Sequence, residues 1–354
     1  MSASFGIIGP DKSGRKTILN ALTKGKADTQ HHIHESTPHI VTVKVPEPRL
    51  NVLADMLHPK KVIPAEVTYT AITGQPLTQL SNVDAIITVI RAFEDESIPH
   101  PEGSVDTERD IATMTLELSF SDLGIIERRQ ERIELSLKGA KPPERQILLH
   151  EQEMLMKFKS ELEKDVPIRE LSLTTEEIKA IASYQFLTAK PLLIVVNIGE
   201  EQLPQAASLE TELNSHYSRP KCRIITLCGK LEMELAQLDD SAAEGFRTEF
   251  GISEAGVDHT IKLSYELLGL ISFFTTASAE VKVWSIENGT TALKAAGKIH
   301  SDMERAFIRA EAISYDDLVA CGSLAEARKK GLLRLEGKSY VIQDGDIITF
   351  LFNL

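Results

Sequence analysis

Near its amino terminus the chain carries a variant of the phosphate-binding loop G-x-x-x-x-G-K-S/T, in which backbone N–H groups and a lysine surround phosphates and a hydroxyl ligates Mg²⁺. Gly9 and Gly14 keep the glycine spacing, but Arg15 occupies the lysine position and Lys16 the hydroxyl position, ahead of Thr17. An apolar run before the loop and helical spacing after it predict a strand, a tight turn and a helix N-terminus, which can bind an anion without the lysine. The same pattern also fits an ordinary strand–turn–helix connection.

Further apolar, β-branched segments alternate with helical patterns along the chain, which is typical of a mainly parallel α/β sheet. The predicted strands lie at residues 40–45, 67–70, 84–90, 191–196 and 222–227. This rhythm indicates a domain of the size that binds nucleotides, and it favours the phosphate-loop interpretation of the first turn.

Two regions depart from that rhythm. Residues 104–165 are rich in Glu, Arg, Leu and Ile at helical spacing and are broken only at 139–143, which predicts a helical hairpin projecting from the sheet. Residues 272–276 are expected to form a hinge, and the alternation that follows predicts a compact, β-grasp-like C-terminal domain. Within it, residues 339–350 are expected to form a strand, an Asp-Gly turn and a second strand.

Composition limits the classes of partner. A formal net charge of -13 over 354 residues argues against bulk electrostatic binding to nucleic acid, so we expect no DNA partner and any RNA contact to be a local patch. We identify neither a signal peptide nor an apolar run of about 20 residues, which predicts a cytoplasmic protein with no membrane partner. Cys222, Cys228 and Cys321 lack C-x-x-C spacing and are expected to be reduced, packed thiols.

Motifs outside the loop carry a resemblance to a known family. They include VPEPRL at 45–50, HPKKVIPA at 58–65, VDAI at 83–86, RAFED at 91–95, GSVD at 103–106 and, near the C-terminus, AAGKIHSD at 295–302, FIRAE at 307–311 and QDGDII at 343–348. Over nearly its whole length the chain resembles the Obg-like ATPase, or YchF, family of translation-factor-related P-loop GTPases.

The resemblance implies an α/β fold with a P-loop GTPase-like, mainly parallel sheet, a helical hairpin insertion and a C-terminal, β-grasp-like TGS domain. We place the GTPase-like domain at residues 1–103 and 166–275, the hairpin or coiled-coil insertion at 104–165 and the TGS domain at 276–354.

The resemblance also implies a nucleotide site. Asn197 and Glu200 match the family's N-x-x-E motif, which is associated with accepting adenine, and they directly follow a predicted strand. Cys228 and Gly229 fall in the loop that backs the base. His100 aligns with the histidine that the family is thought to use to position water, although a histidine in a proline-rich loop is equally typical of a surface residue. The predicted phosphate side consists of Gly9, Lys12, Gly14, Arg15, Lys16 and Thr17.

Several departures from the family pattern put the chemistry in doubt. Arg15 and Lys16 change the loop, and the aspartate of the family's D-x-x-G motif is replaced by Ala71, while Gly74 remains. The glycine-rich switch that should follow is missing. In the first switch, three histidines and a glutamate at 31–35 fit either a metal site or a mobile polar loop, and we predict no metal there.

Three functions remain open at this stage. The first is binding of ATP or GTP with weak or absent hydrolysis and doubtful Mg²⁺; the second is slow hydrolysis, with Arg15 or Lys16 supplying charge. The third is a non-catalytic interaction protein that contacts the ribosome or RNA through the TGS domain and helical arm. Candidate contacts, equally typical of a solvated face, are Lys294, Lys298, Arg305, Arg309, Arg328, Lys329 and Lys330.

Overall fold

The computed structural model describes residues 2–24, 39–72, 77–217, 219–249, 252, 255–276 and 279–353. Contacts within the chain divide it into a larger unit, Ala3–Val41 with Thr68–Val257, and a smaller unit, Met1–Ser2 with Thr42–Val67 and Asp258–Leu354. The domain boundaries expected from the sequence stay a prediction.

The helices and strands follow one another along the chain in α/β alternation. In order they are β1 (Ala3–Ile8), α1 (Arg15–Leu22), β2 (His39–Lys44), α2 (Pro48–Leu57), β3 (Lys61–Ile63), β4 (Glu66–Ala71), β5 (Ala85–Arg91), α3 (Thr107–Leu137), α4 (Pro142–Leu162), α5 (Thr175–Tyr184), β6 (Leu192–Asn197), α6 (Ala206–Tyr217), β7 (Cys222–Leu227), α7 (Gly229–Leu235), α8 (Asp240–Glu249), α9 (Gly256–Leu267), β8 (Leu270–Thr275), β9 (Glu280–Glu287), α10 (Ala292–Ile299), α11 (Ser301–Arg305), β10 (Phe307–Ile313), α12 (Tyr315–Cys321), α13 (Leu324–Lys329), β11 (Arg334–Glu336) and β12 (Ile347–Phe352).

The first sheet has the strand order β2-β4-β1-β5-β6-β7, and the residues of β2 after Val41 and of β4 before Thr68 are counted with the smaller unit. Strands β1, β5, β6 and β7 run parallel, with Ile7 opposite Ile87 and Ile194 opposite Ile224. Every residue of β5 and β6 is buried. Their largely apolar sequences reflect this burial on both faces, as expected for parallel strands. The predicted α/β fold and strand segments are confirmed.

The helical hairpin is also confirmed. Helix α3 begins after Asp106, whose side chain accepts a hydrogen bond from the Arg109 N–H, and α4 begins with a proline. The two helices pack through an apolar seam that includes Ile126, Leu155 and Phe158. Ion pairs, such as Arg129–Glu151 at 2.7 Å, flank that seam.

The second sheet has the order β11-β10-β12-β8-β9-β3. Its strand β3 pairs in parallel with β9, and Arg49 of α2 forms an ion pair with Asp344 at 2.7 Å. These two contacts explain why the segment Thr42–Val67 joins the C-terminal part of the chain in one unit. Helix α10 contributes Ala295 and Ala296 to the apolar cluster around Phe273.

Two local expectations are wrong. Residues 272–275 are not a hinge but part of β8, which pairs antiparallel with β9 and buries Phe273 and Phe274 completely. Of residues 339–350 only the second half is a strand, because β12 already pairs with β10 and β8. Val341 therefore forms only an isolated bridge, to Thr291.

All three cysteines are free, and Cys222 and Cys228 are buried. Within the described part of the chain, no helix has the length and apolar character needed to cross a membrane.

Asp122 joins the helical hairpin to the chain segment before β6. This fully buried carboxylate on α3 accepts hydrogen bonds from the N–H groups of Leu187 and Thr188, both at 2.8 Å, and from the Thr188 hydroxyl at 2.6 Å. Burial raises the pKa of Asp122 to about 6, although these hydrogen bonds act in the opposite direction.

This shift predicts a pH dependence of stability. In the unfolded chain the same carboxyl group has a pKa of about 4, so protonated Asp122 stabilises the folded state. This contribution to the free energy of unfolding is fully present below pH ~4 and is lost as the pH rises through about 6. We expect the free energy of unfolding of the wild type, measured relative to Asp122→Asn by urea denaturation, to fall across this window. The control Glu134→Gln, at an exposed position of α3, should show no such change. A flat difference for Asp122→Asn would contradict the shifted pKa.

Candidate functional site

The turn between β1 and α1 requires glycine at both ends. Gly9 has φ 153° and Gly14 has φ 95°, in the region that disfavours residues with a Cβ. A Cβ at Gly9 would collide with the carbonyl oxygen of Val89, and one at Gly14 would collide with the side-chain nitrogen of Asn197. The two glycines therefore allow the turn to approach β5 and the end of β6 closely.

Asn197, the last residue of β6, connects this turn to the next loop of the sheet. Its Nδ2 donates to the carbonyl oxygen of Ser13 and its Oδ1 accepts from the N–H of Gly229, both at 3.0 Å. The side chain is almost fully buried, with 4% exposed. One amide group thus joins the turn before α1 to the start of α7.

A cavity of about 600 Å³ opens beside this bridge. It lies past the carboxyl ends of β5, β6 and β7, where open α/β sheets bind ligands, and its volume lies within the range of small-molecule sites. The predicted residues that line it are Lys12, Gly14, Thr17, Asn197, Glu200 and Cys228. Gly9 and Gly229 are not among the described lining residues, although the N–H of Gly229 is bonded to Asn197, which is.

Two predicted phosphate-side cations lie apart from the cavity lining. The Arg15 guanidinium donates to the carboxylate of Asp11 at 2.9 Å and to the carbonyl oxygen of Ile72 at 3.3 Å, and only 18% of its side chain is exposed. Lys16 is exposed on α1. Neither Arg15 nor Lys16 is among the described residues that line the cavity. Of the predicted phosphate-side cations, Lys12 does line the wall, and its Nζ donates to the carbonyl oxygen of Pro99 at 3.2 Å.

His100 faces the start of α3. Its Nε2 lies 3.0 Å from Oδ2 of Asp110, and its Nδ1 accepts from the N–H of Glu102 at 3.2 Å. The imidazole is buried, with 4% exposed, and it is not among the described residues that line the cavity. Its assignment as the residue that positions water stays a prediction.

Arg91 does not line the cavity but holds three residues that do, a role that the sequence analysis did not assign to it. This arginine at the end of β5 is 1% exposed and donates to the carbonyl oxygens of Phe93, Asp95 and Ile98. Its guanidinium also lies 4.5 Å from the centre of the Phe93 ring. The sequence signal was an arginine that ends a largely apolar strand.

The outer wall of the cavity carries charges of both signs. Lys230 and Glu200 form an exposed ion pair at 2.9 Å, and this hydrogen bond raises the pKa of Lys230. Nearby, hydrogen bonds from Ser97 lower the pKa of Asp95. Burial raises the pKa of the Cys228 thiol, which keeps it neutral near pH 7.

Some predicted features lie outside the described residues. The histidine cluster at 31–35 and Gly74 of the altered D-x-x-G motif are among them. Ala71 is described, and it is buried at the end of β4. In the described ranges, no group of three or more His, Cys, Asp or Glu side chains is placed to hold a metal ion.

The comparisons with known proteins agree with this architecture. The chain is 37% identical to "Ribosome-binding ATPase YchF" of Bacillus subtilis, with all of both chains covered. The chain belongs to the YchF family. A protein of the same name from Escherichia coli O157:H7 is 33% identical, again with both chains fully covered.

Two further matches support the assignment. The family model YchF-GTPase_C, described as a protein of unknown function (DUF933), matches residues 270–353. The solved structure of the Schizosaccharomyces pombe YchF GTPase has a TM-score of 0.85 and 30% identity, and the match covers 99% of this chain and 98% of that one.

The bridge made by Asn197 leads to a testable prediction. Asn197→Ala leaves the buried N–H of Gly229 and the carbonyl of Ser13 without this partner, so we expect it to lower the free energy of unfolding by about 1–3 kcal/mol. The measurement is urea denaturation together with amide hydrogen exchange, in which the segment containing Gly229 should exchange faster.

Asn214 provides a matched control. Its side chain likewise donates to and accepts from one backbone position, Ile224 on β7, at 2.8 and 3.2 Å. Asn214→Ala should cost a similar free energy without changing the exchange of the Gly229 segment. Equal exchange changes in both variants would refute a local bridge.

Proposed function

We propose that this chain is a YchF-like protein that binds ATP or GTP in the cavity beside Asn197, hydrolyses it weakly or not at all, and associates with ribosomes in the cytoplasm. The observation that carries the proposal is the double hydrogen bond of Asn197 to Ser13 and Gly229. It holds the two loops of a nucleotide-sized cavity in a fixed arrangement before a ligand arrives, which reduces the ordering cost of binding.

The choice of nucleotide is supported by the residues of the N-x-x-E motif and by the relatives. Glu200 lies at the outer wall of the cavity, where its carboxylate is paired with Lys230. A base that displaces Lys230 from this pair would meet a hydrogen-bond acceptor suited to an amino group. The relatives are named as an ATPase in bacteria and as a GTPase in Schizosaccharomyces pombe, so both nucleotides are included.

Weak hydrolysis is supported by the positions of the cationic side chains. Phosphoryl transfer depends on cations that bridge the β- and γ-phosphate oxygens. Arg15 is engaged by Asp11 and Ile72, and Lys16 is exposed on α1. The arginine would have to give up two hydrogen bonds to reach a phosphate.

The residues that this chain offers for Mg²⁺ do not fit the ion. Position 16 carries an ammonium group instead of a hydroxyl, and position 71 carries a methyl group instead of a carboxylate. Hard divalent cations prefer oxygen ligands, and an ammonium group repels them. We therefore derive no step through Mg²⁺ at this site.

The nucleotide proposal predicts binding that does not need a divalent ion. By calorimetric titration, we expect ATP to bind with Mg²⁺ and with EDTA at affinities within about two-fold of each other, since the chain lacks the metal ligands. The double variant Arg15→Lys/Lys16→Ser, which restores the standard motif, should make affinity depend on Mg²⁺. Strong Mg²⁺ dependence or rapid phosphate release by the wild type would contradict weak, metal-independent chemistry. Absence of heat with ATP and GTP would overturn nucleotide binding.

Ribosome association is supported by the names of the curated relatives and by exposed cations of the smaller unit. Of the candidate contacts, Lys294, Arg305, Arg328 and Lys329 form ion pairs with nearby acids. By contrast, Lys298, Arg309 and Lys330 are exposed and have no carboxylate partner among the residues that the structure describes. Unpaired cations are the ones that can displace counterions from RNA phosphates without breaking an existing pair.

This distinction predicts which charges matter. We expect Lys298→Glu/Arg309→Glu to reduce co-sedimentation with ribosomes at least about five-fold at low salt, and the difference to shrink as salt is raised. The control Lys179→Glu/Lys221→Glu makes the same charge change at exposed positions of the larger unit. Equal losses in both variants would show a nonspecific charge effect. Unchanged sedimentation of the first variant would remove these residues from the contact.

A further inference from the structure

A second cavity lies in the larger unit, at the amino ends of the parallel strands β6 and β7. Leu192 and Cys222, the first residues of β6 and β7, line it, whereas Asn197 and Cys228 follow the other ends of these strands beside the nucleotide cavity. Its volume is about 260 Å³. This is slightly below the usual range of drug-sized sites, so only a small ligand would fit.

Four segments of the chain line this cavity, and most of the lining surface is apolar. One of them runs from the end of α6 to Cys222. Ile111 and Leu116 of α3 form one side, and Leu192 and Ile194 of β6 form the floor. The segment after α4, which includes Pro167, closes the third side. These walls can pack against the apolar part of a ligand but offer it few hydrogen-bonding groups.

Arg169 is the buried one among the charged residues that line the cavity, which also include Asp165, Glu170 and Arg219. The residue is only 7% exposed, and its Nη1 donates to the carbonyl oxygen of Thr188 at 3.2 Å. Its Nε has no hydrogen-bond partner. Nε itself is inaccessible from the cavity. The buried guanidinium charge nevertheless carries a desolvation cost, which a carboxylate on the part of the side chain that lines the cavity would offset.

The neighbouring carboxylates, Asp122 and Glu170, do not form an ion pair with Arg169 among the described residues. Asp122 is occupied by the N–H groups of Leu187 and Thr188 and by the Thr188 hydroxyl. Glu170, at the cavity rim, lies 3.8 Å from Arg219. Burial lowers the pKa of Arg169, and the nearby acids only partly oppose it.

We propose that this cavity is a binding site for a small organic carboxylate with an apolar body, with its carboxylate on Arg169 and its body against Ile111, Leu192 and Ile194. A carboxylate accepts hydrogen bonds from a guanidinium and neutralises its buried charge. The apolar body replaces water along α3 and β6. The proposal is independent of nucleotide binding, because the two cavities lie at opposite ends of β6.

The test is titration of the full chain, labelled at the isoleucine methyl groups, with hexanoate, benzoate and the neutral analogue hexanamide. We expect hexanoate or benzoate to shift the methyl signals of Ile111 and Ile194 with saturation. Hexanamide should bind at least about ten-fold more weakly, because it lacks the charge-assisted hydrogen bond to Arg169. Saturating ATP should leave these titrations unchanged.

Two variants separate the site from general effects on folding. Arg169→Gln should abolish the preference for the carboxylate over the amide. Ala112→Phe places a ring at an exposed cavity position while keeping Arg169, and it should block binding; its neighbour Thr113→Phe, which does not line the cavity, should bind as the wild type does.

The contradicting results are specific. No saturable shift with either acid up to about 10 mM, a concentration that detects millimolar affinity, would overturn the site. Equal affinity for hexanoate and hexanamide would overturn the role of Arg169. Unchanged hexanoate binding by Ala112→Phe would place the ligand elsewhere.

Discussion

The larger unit depends on one buried amide. Asn197 donates to Ser13 and accepts from Gly229, so its side chain holds the turn before α1 against the start of α7. An aspartate lacks the donor and a leucine lacks both groups, so neither residue could make this bridge. Because the bridge is buried and uses backbone partners, it organises the cavity by geometry and needs no charge.

Charge in this molecule is used mainly to hold chain segments in place. Arg91 fastens the loop after β5 through three carbonyl oxygens, and Arg49 ties α2 to Asp344 in the smaller unit. Arg15, at the position of a phosphate-binding lysine, is likewise engaged with Asp11 and the carbonyl of Ile72. Guanidinium groups suit this work because they offer several donors in a fixed plane.

The strands and the hairpin followed from the sequence because their signals are local. Strands β5 and β6 are buried throughout, and their largely apolar sequences are visible without the structure. The expectations at residues 272–276 and 339–343 were wrong because the neighbouring strands in the sheet decide whether such a segment becomes a strand. Phe273 and Phe274 became a buried strand because β9 and β12 flank them, whereas Val341 lacks a continuous partner strand. The roles assigned to the site residues remain predictions.

By itself, the sequence determined the α/β order, the glycine spacing of the first turn, the hairpin and the resemblance to the YchF family. Only the tertiary structure decided which atoms meet. Asn197 and Ser13 are 184 positions apart, and Arg169 and Thr188 belong to different segments that pack together only in the fold. Periodicity records which face of an element is buried, because burial repeats with the backbone. It carries no record of a hydrogen-bond partner from a distant segment, such as the carbonyl of Ile72 that accepts from Arg15 or the carbonyl of Thr188 that accepts from Arg169.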